Sequence, residues 1–216
     1  MTVGDQMLAK YLSLWKSSFL FAALFAVLLS TGTIHAQNPV HALHNSDVSL
    51  SAFGQFTNST SGNGITVDPT KSLGGLASFR HVYNPLLGFE ATYGYTRFAD
   101  HYSDTVFSVQ HNVHEFGGSY LVSAPNVLGL QPFGLVGISA LLYAPTLNGG
   151  QRASAQGKAA INFGFGANFP LLTSHFGARV QYRGLFHPTP DYGQAQYKTS
   201  TWRLTSEPAI GLYLKF

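Results

Sequence analysis

Cysteine is absent from the 216 residues, which rules out a disulfide framework and any thiolate-held metal. Charge is scarce as well: Lys, Arg, Asp and Glu make up only 10% of the chain, against roughly 25% in ordinary soluble domains. A surface so poor in charge is not built to face water alone. The formal balance is +3 with a pI near 9.1, yet no basic block stands behind it, so nucleic acid is not indicated as a partner. Long apolar runs are missing too. After residue 36 no stretch reaches the roughly 18 uninterrupted apolar residues of a spanning helix. Any membrane crossing there must use strands, and in lipid only a closed barrel leaves no sheet edge unpaired.

The chain is rich in glycine, with 23 residues, and in aromatics, at 14%. Glycine weakens helix interiors and aromatic side chains favour strands, so the fold class is all-β. At the N-terminus, Lys10 and Lys16 precede the apolar run Phe19 to Leu29, which is followed by Ser30, Thr31, Gly32 and then Ile34-His35-Ala36. This order of a positive region, a short apolar region and a small residue predicts a cleavable signal peptide over 1–36. The apolar run is too short for the roughly 20 residues of a membrane anchor. Cleavage after Ala36 removes Lys10, Lys16 and Asp5 and leaves a net charge of +2. Residues 37–45 are expected to form a short periplasmic segment.

From 46 to 216 the sequence alternates with period two. Leu204, Ser206, Pro208, Ile210, Leu212, Leu214 and Phe216 share one face, and Arg203, Thr205, Glu207, Ala209, Gly211, Tyr213 and Lys215 the other. Phe176, Ala178, Val180, Tyr182 and Phe186 oppose Arg179, Gln181 and Arg183 in the same way. Similar patterns cover 47–56, 73–80, 87–96, 106–122 and 159–169, whereas 131–143 is apolar on both faces and leaves its register open. The count is eight strands, antiparallel and up-and-down, with short turns at 83–85, 124–129 and 170–174. Polar loops at 58–70, 145–156 and 188–201 lie between the others. Short turns on the periplasmic side and long loops outside are the asymmetry of outer-membrane barrels.

These segments resemble the small eight-stranded bacterial outer-membrane barrels and are similar to the transmembrane domain of outer-membrane protein A. The likeness rests on the Gly-aromatic strands and on the closing Gly211-Leu212-Tyr213-Leu214-Lys215-Phe216. It implies that Ile210, Leu212, Leu214 and Phe216 form the signal read by the barrel-assembly machinery. It also implies periplasmic chaperones, outer-membrane lipid and lipopolysaccharide as partners.

With the faces so assigned, Arg80, Glu90, Glu115, Arg179, Arg183, Arg203, Glu207 and Lys215 point into the lumen. An eight-stranded interior is just wide enough for side chains, and unpaired buried charge is costly. The expectation is a network of ion pairs filling the barrel. His111 and His114, at offset three on one strand, face opposite sides and are read as interfacial rather than as metal ligands. His81, His114 and His175 could join a serine and a carboxylate in a lipid-modifying enzyme, but no local motif brings such groups together. No cofactor, metal or catalytic residue is predicted. The expected role is non-enzymatic, structural or surface-interacting, carried by the loops at 58–70, 146–156 and 188–201. A lipid-modifying enzyme, a narrow ion channel and a soluble periplasmic barrel are the alternatives.

Overall fold

The computed structural model describes residues 45–103, 108–146, 154–173 and 175–216. The predicted signal peptide, nearly all of the segment after it and most of the 146–156 loop lie outside the described residues.

Among the described residues ten strands form one sheet: β1 (Ser46–Thr57), β2 (Thr60–Gly62), β3 (Ile65–Pro69), β4 (Ser72–Val82), β5 (Leu87–Tyr102), β6 (Ser108–Ser123), β7 (Gln131–Pro145), β8 (Gln156–Thr173), β9 (Phe176–Pro188) and β10 (Trp202–Lys215). Eight of them close a ring, each antiparallel to its neighbours in the order β1, β4, β5, β6, β7, β8, β9, β10 and back to β1. The closure is in register, with Val48 opposite Leu214 and Leu50 opposite Leu212. The Phe216 amide donates to the Ser46 carbonyl at 2.8 Å. No barrel edge is left for another chain to extend.

Period-two burial along the strands puts most of the charged residues inside and most of the large apolar ones outside. Leu50 is 73% exposed and Leu73 83%, while Arg179, on the inward face of β9, is fully buried. A soluble protein has the opposite arrangement. So continuous an exposed apolar wall around a charged interior requires lipid as the surrounding medium.

Strand β7, whose register the alternation left open, turns Phe133, Leu135, Leu141 and Tyr143 inward and Val136, Ile138 and Leu142 outward. Both faces are greasy because the lumen itself is partly apolar. Leu141 and Tyr143 pack in a buried cluster with Ile65, Val67, Phe98 and Leu185 near the loop end. Phe133 and Leu135 pack on Leu121 near the turn end.

Two predicted connections differ in the structure. The turn expected at 170–174 is shorter, because β8 runs on to Thr173 with a register shift between Pro170 and Thr173. The loop expected over 58–70 is the hairpin β2–β3, whose second strand pairs with the end of β5, Val67 opposite Tyr102. Its turn residues Asn63 and Gly64 have φ of 53° and 78°, the left-handed pair that Asn-Gly supplies in a two-residue hairpin turn.

Candidate functional site

The strands hold their inward charges in three levels of the lumen. Nearest the turns and both strand ends, Arg179 donates from Nη2 to Asp47 Oδ1 at 2.7 Å and from Nε to Asn168 Oδ1 at 2.8 Å. Its Nη1 reaches Ser49 and Ser78 at 3.1 and 3.3 Å. Beside it Arg80 pairs with Glu90, donates to Gln181 Oε1 at 3.3 Å and lies 3.9 Å from the centre of the Phe133 ring.

At mid-height Arg183 bridges two carboxylates, Glu115 from β6 and, at 3.0 Å, Glu207 from β10. Ser139 donates to Glu115 at 2.8 Å, and Asn162 links Ser139 to Ser119 at 2.7 and 2.8 Å. Nearest the loops, Arg203 donates to Asp100 at 2.9 Å. His111 Nε2 stands 3.8 Å from the other Asp100 oxygen.

Arg80, Glu90, Glu115, Arg179, Arg183, Arg203 and Glu207 are thus all buried in the lumen. Lys215 is not. It is exposed at the turn-end rim, because β10 ends there and its alternation no longer meets an enclosed interior. Of the closing residues, Ile210, Leu212, Leu214 and Phe216 all face outward.

His111 also departs from its reading as interfacial. It is fully buried, 4.3 Å from Phe98 by ring centres, while His114 faces outward against the Tyr93 hydroxyl at 2.9 Å. Opposite faces followed from their spacing. Which face was inner depended on carrying the register of β5 and β6 to the loop end.

Asp47, Asp100 and His187 join the network without having been singled out. The signal for Asp100 was present: Glu90, Thr92, Gly94, Thr96, Phe98 and Asp100 continue one inward row along β5.

The segment between β9 and β10, expected to project outward, folds over the lumen. Tyr192, Tyr197, Thr189 and Thr199 are buried. The Tyr192 hydroxyl is 2.8 Å from His111 Nδ1, and the Tyr102 hydroxyl donates to the Pro190 carbonyl at 3.3 Å. Gln156 Oε1 accepts from the amides of Asp191 and Tyr192 at 3.0 and 3.1 Å. The β2–β3 hairpin braces this lid, with Asn63 donating to the Lys198 carbonyl at 2.9 Å. Glycine is required at 62, where a Cβ would run into the Thr199 carbonyl. Burial pushes the Asp191 carboxyl up, but hydrogen bonds from Gln156 and the Gly193 amide, with Lys158 at 3.9 Å, hold it below its usual value.

At the turn end the lumen is open. A mouth of about 630 Å³ at the turn end is lined by Asp47, Arg80, Gln131, Tyr213 and Lys215. Above it, at mid-height, buried side chains line a cavity of about 20 Å³. Among the described residues no group of three or more His, Asp or Glu is placed to hold a metal ion. Among the described residues Ser46 Oγ meets His81 Nδ1 at 2.9 Å, and no carboxylate of those residues is paired with the ring. His175 sits at the turn-end rim, its Nδ1 3.2 Å from the Lys215 carbonyl.

A closed eight-stranded ring with a charged interior and an apolar exterior is the fold of the small outer-membrane β-barrels. Solved structures agree. The chain is similar to Neisserial surface protein A, with a TM-score of 0.57 at 18% identity over 80% of this chain and 97% of that one. It is similar to OprG of Pseudomonas aeruginosa, with 0.57 at 10% over 80% and 96%. It also matches Ail, the attachment invasion locus protein of Yersinia pestis, solved with a heparin analogue, with 0.52 at 13% over 79% and 97%. No protein-family model matches the sequence, and no curated protein does.

Proposed function

We propose that the chain is a non-enzymatic barrel of the bacterial outer membrane that does not conduct and that acts through its outer surface and loops. Its short turns then face the periplasm, and the lid and the β2–β3 hairpin face outward. The observation that carries this reading is the Tyr192 lid seated on an ion-paired lumen. The apolar wall meets outer-membrane lipid and lipopolysaccharide, and Ile210, Leu212, Leu214 and Phe216 are displayed where an assembly machinery can read them. The fold alone does not assign an activity. The lipid-modifying alternative has the Ser46–His81 pair in its favour and lacks the carboxylate that orients such a histidine.

Four measurements test the proposal. The folded protein should stay in carbonate-washed outer membranes and migrate anomalously on gels before boiling. In planar bilayers it should give no discrete conductance steps, and steps abolished by enlarging lumen side chains would overturn the reading. A deletion strain should keep its acyl-chain composition.

A further inference from the structure

The charges of the lumen balance level by level except at one. Arg179 with Asp47 and Arg80 with Glu90 are one-to-one, and so is Arg203 with Asp100. At mid-height a single guanidinium, Arg183, serves both Glu115 and Glu207. With both carboxyls ionised this level would carry one negative charge in excess, away from water, which a cation or a proton would balance.

The 20 Å³ cavity lies at this level, and its polar lining is Gln55, Thr96, Glu115, His187, Thr205 and Glu207. That is room for one water-sized particle. The Gln55 oxygen Oε1 is buried and has no hydrogen-bond partner.

The network fixes which end of the Gln55 amide is free. His187 Nδ1 is 3.1 Å from the Pro188 carbonyl, which can only accept, and 3.4 Å from the Tyr143 hydroxyl, which can do either, so this nitrogen carries the proton and Tyr143 accepts from it. With no carboxylate on the buried ring, Nε2 then accepts from Thr205 at 3.1 Å. Thr205, its proton committed, accepts from Thr57 at 2.8 Å, and Thr57 accepts from the Gln55 amide nitrogen at 3.3 Å. The Gln55 oxygen is left as an acceptor without a donor beside the two glutamates.

We propose that this cavity binds one monovalent metal cation of the sodium class, held by oxygens of Glu115, Glu207 and Gln55. Carboxylate and amide oxygens are ligands for hard cations. A single positive charge closes the balance, whereas a divalent ion would leave an excess of the opposite sign. The site is independent of whether the barrel conducts, so a conductance result does not decide it.

The refolded full-length barrel is heated at fixed pH and ionic strength in sodium chloride or choline chloride, with the folded fraction read by heat-modifiability. The midpoint is expected about 3 °C higher in sodium. Glu207→Gln removes the uncompensated charge while keeping an acceptor for Arg183, and it should abolish the difference. Gln55→Met keeps the charge but removes a ligand, and it should require several-fold more sodium for the same shift. Equal wild-type midpoints in the two salts overturn the proposal. If they then rise together as pH falls, a proton balances the level, and if not, the cavity holds water. A sodium effect that persists unchanged in both variants also overturns it.

Discussion

The Tyr192 hydroxyl, in the connection between β9 and β10, lies 2.8 Å from Nδ1 of His111 on β6. This bond ties the lid to the barrel wall across 81 positions of sequence. Both groups are buried, so neither recovers a water if the other is removed.

Tyr192→Phe keeps the ring and leaves His111 Nδ1 without its partner, a loss of about 1–3 kcal/mol. The cost should fall on the lid and not on the barrel. Amide hydrogen exchange over 189–201 is expected to quicken by about five- to 150-fold, with the strands unchanged. Equal exchange in both proteins would show that the lid is held without this bond.

Arg80→Leu alone leaves the fully buried Glu90 without its partner and should destabilise the barrel by about 3–5 kcal/mol. Adding Glu90→Leu removes the stranded charge and should recover most of that loss. Urea unfolding in lipid vesicles measures both. A double variant as weak as the single one would mean that Arg80 acts through its stacking on Phe133 rather than through the ion pair.

Leu50 lies on the outer wall. In a bilayer, Leu50→Arg should cost about 2–4 kcal/mol if the position is near mid-membrane, whereas on a water-facing surface it would cost less than about 0.5 kcal/mol. The same unfolding measurement separates the two, and tolerance of the arginine would sink the membrane reading.

Asp191 sets the acid limit of the lid. Its carboxyl is lower in the folded protein than the usual 3.8, so its contribution is complete above that value and is lost as pH falls through the lowered one. The Asp191 and Tyr192 amides should keep their protection down to about pH 4 and lose it below. Asp191→Asn should remove that acid step, which exchange measured across pH would detect.

How far the sequence foretold this barrel varies with the distance over which a contact forms. Arg80 and Glu90 oppose each other across the short turn after β4, and Arg183 and Glu207 sit opposite on neighbouring strands. Inward placement of all four follows from alternation. The Asn63-Gly64 turn was likewise a local signal for the β2–β3 hairpin, hidden only by treating 58–70 as undivided loop.

Period-two alternation, the lack of charge and the closing Leu212-Leu214-Phe216 pattern determined by themselves that this chain makes strands with one greasy and one polar face. They also determined that most of its charges share the polar one, because side-chain direction in a strand depends only on position. Tertiary structure alone decided that Glu115 meets Arg183, that Asp100 meets Arg203, that Lys215 stays at the rim and that Tyr192 comes down onto His111. Those meetings depend on the stagger of eight strands around a closed ring and on where a loop settles over it, and neither is written in any one segment.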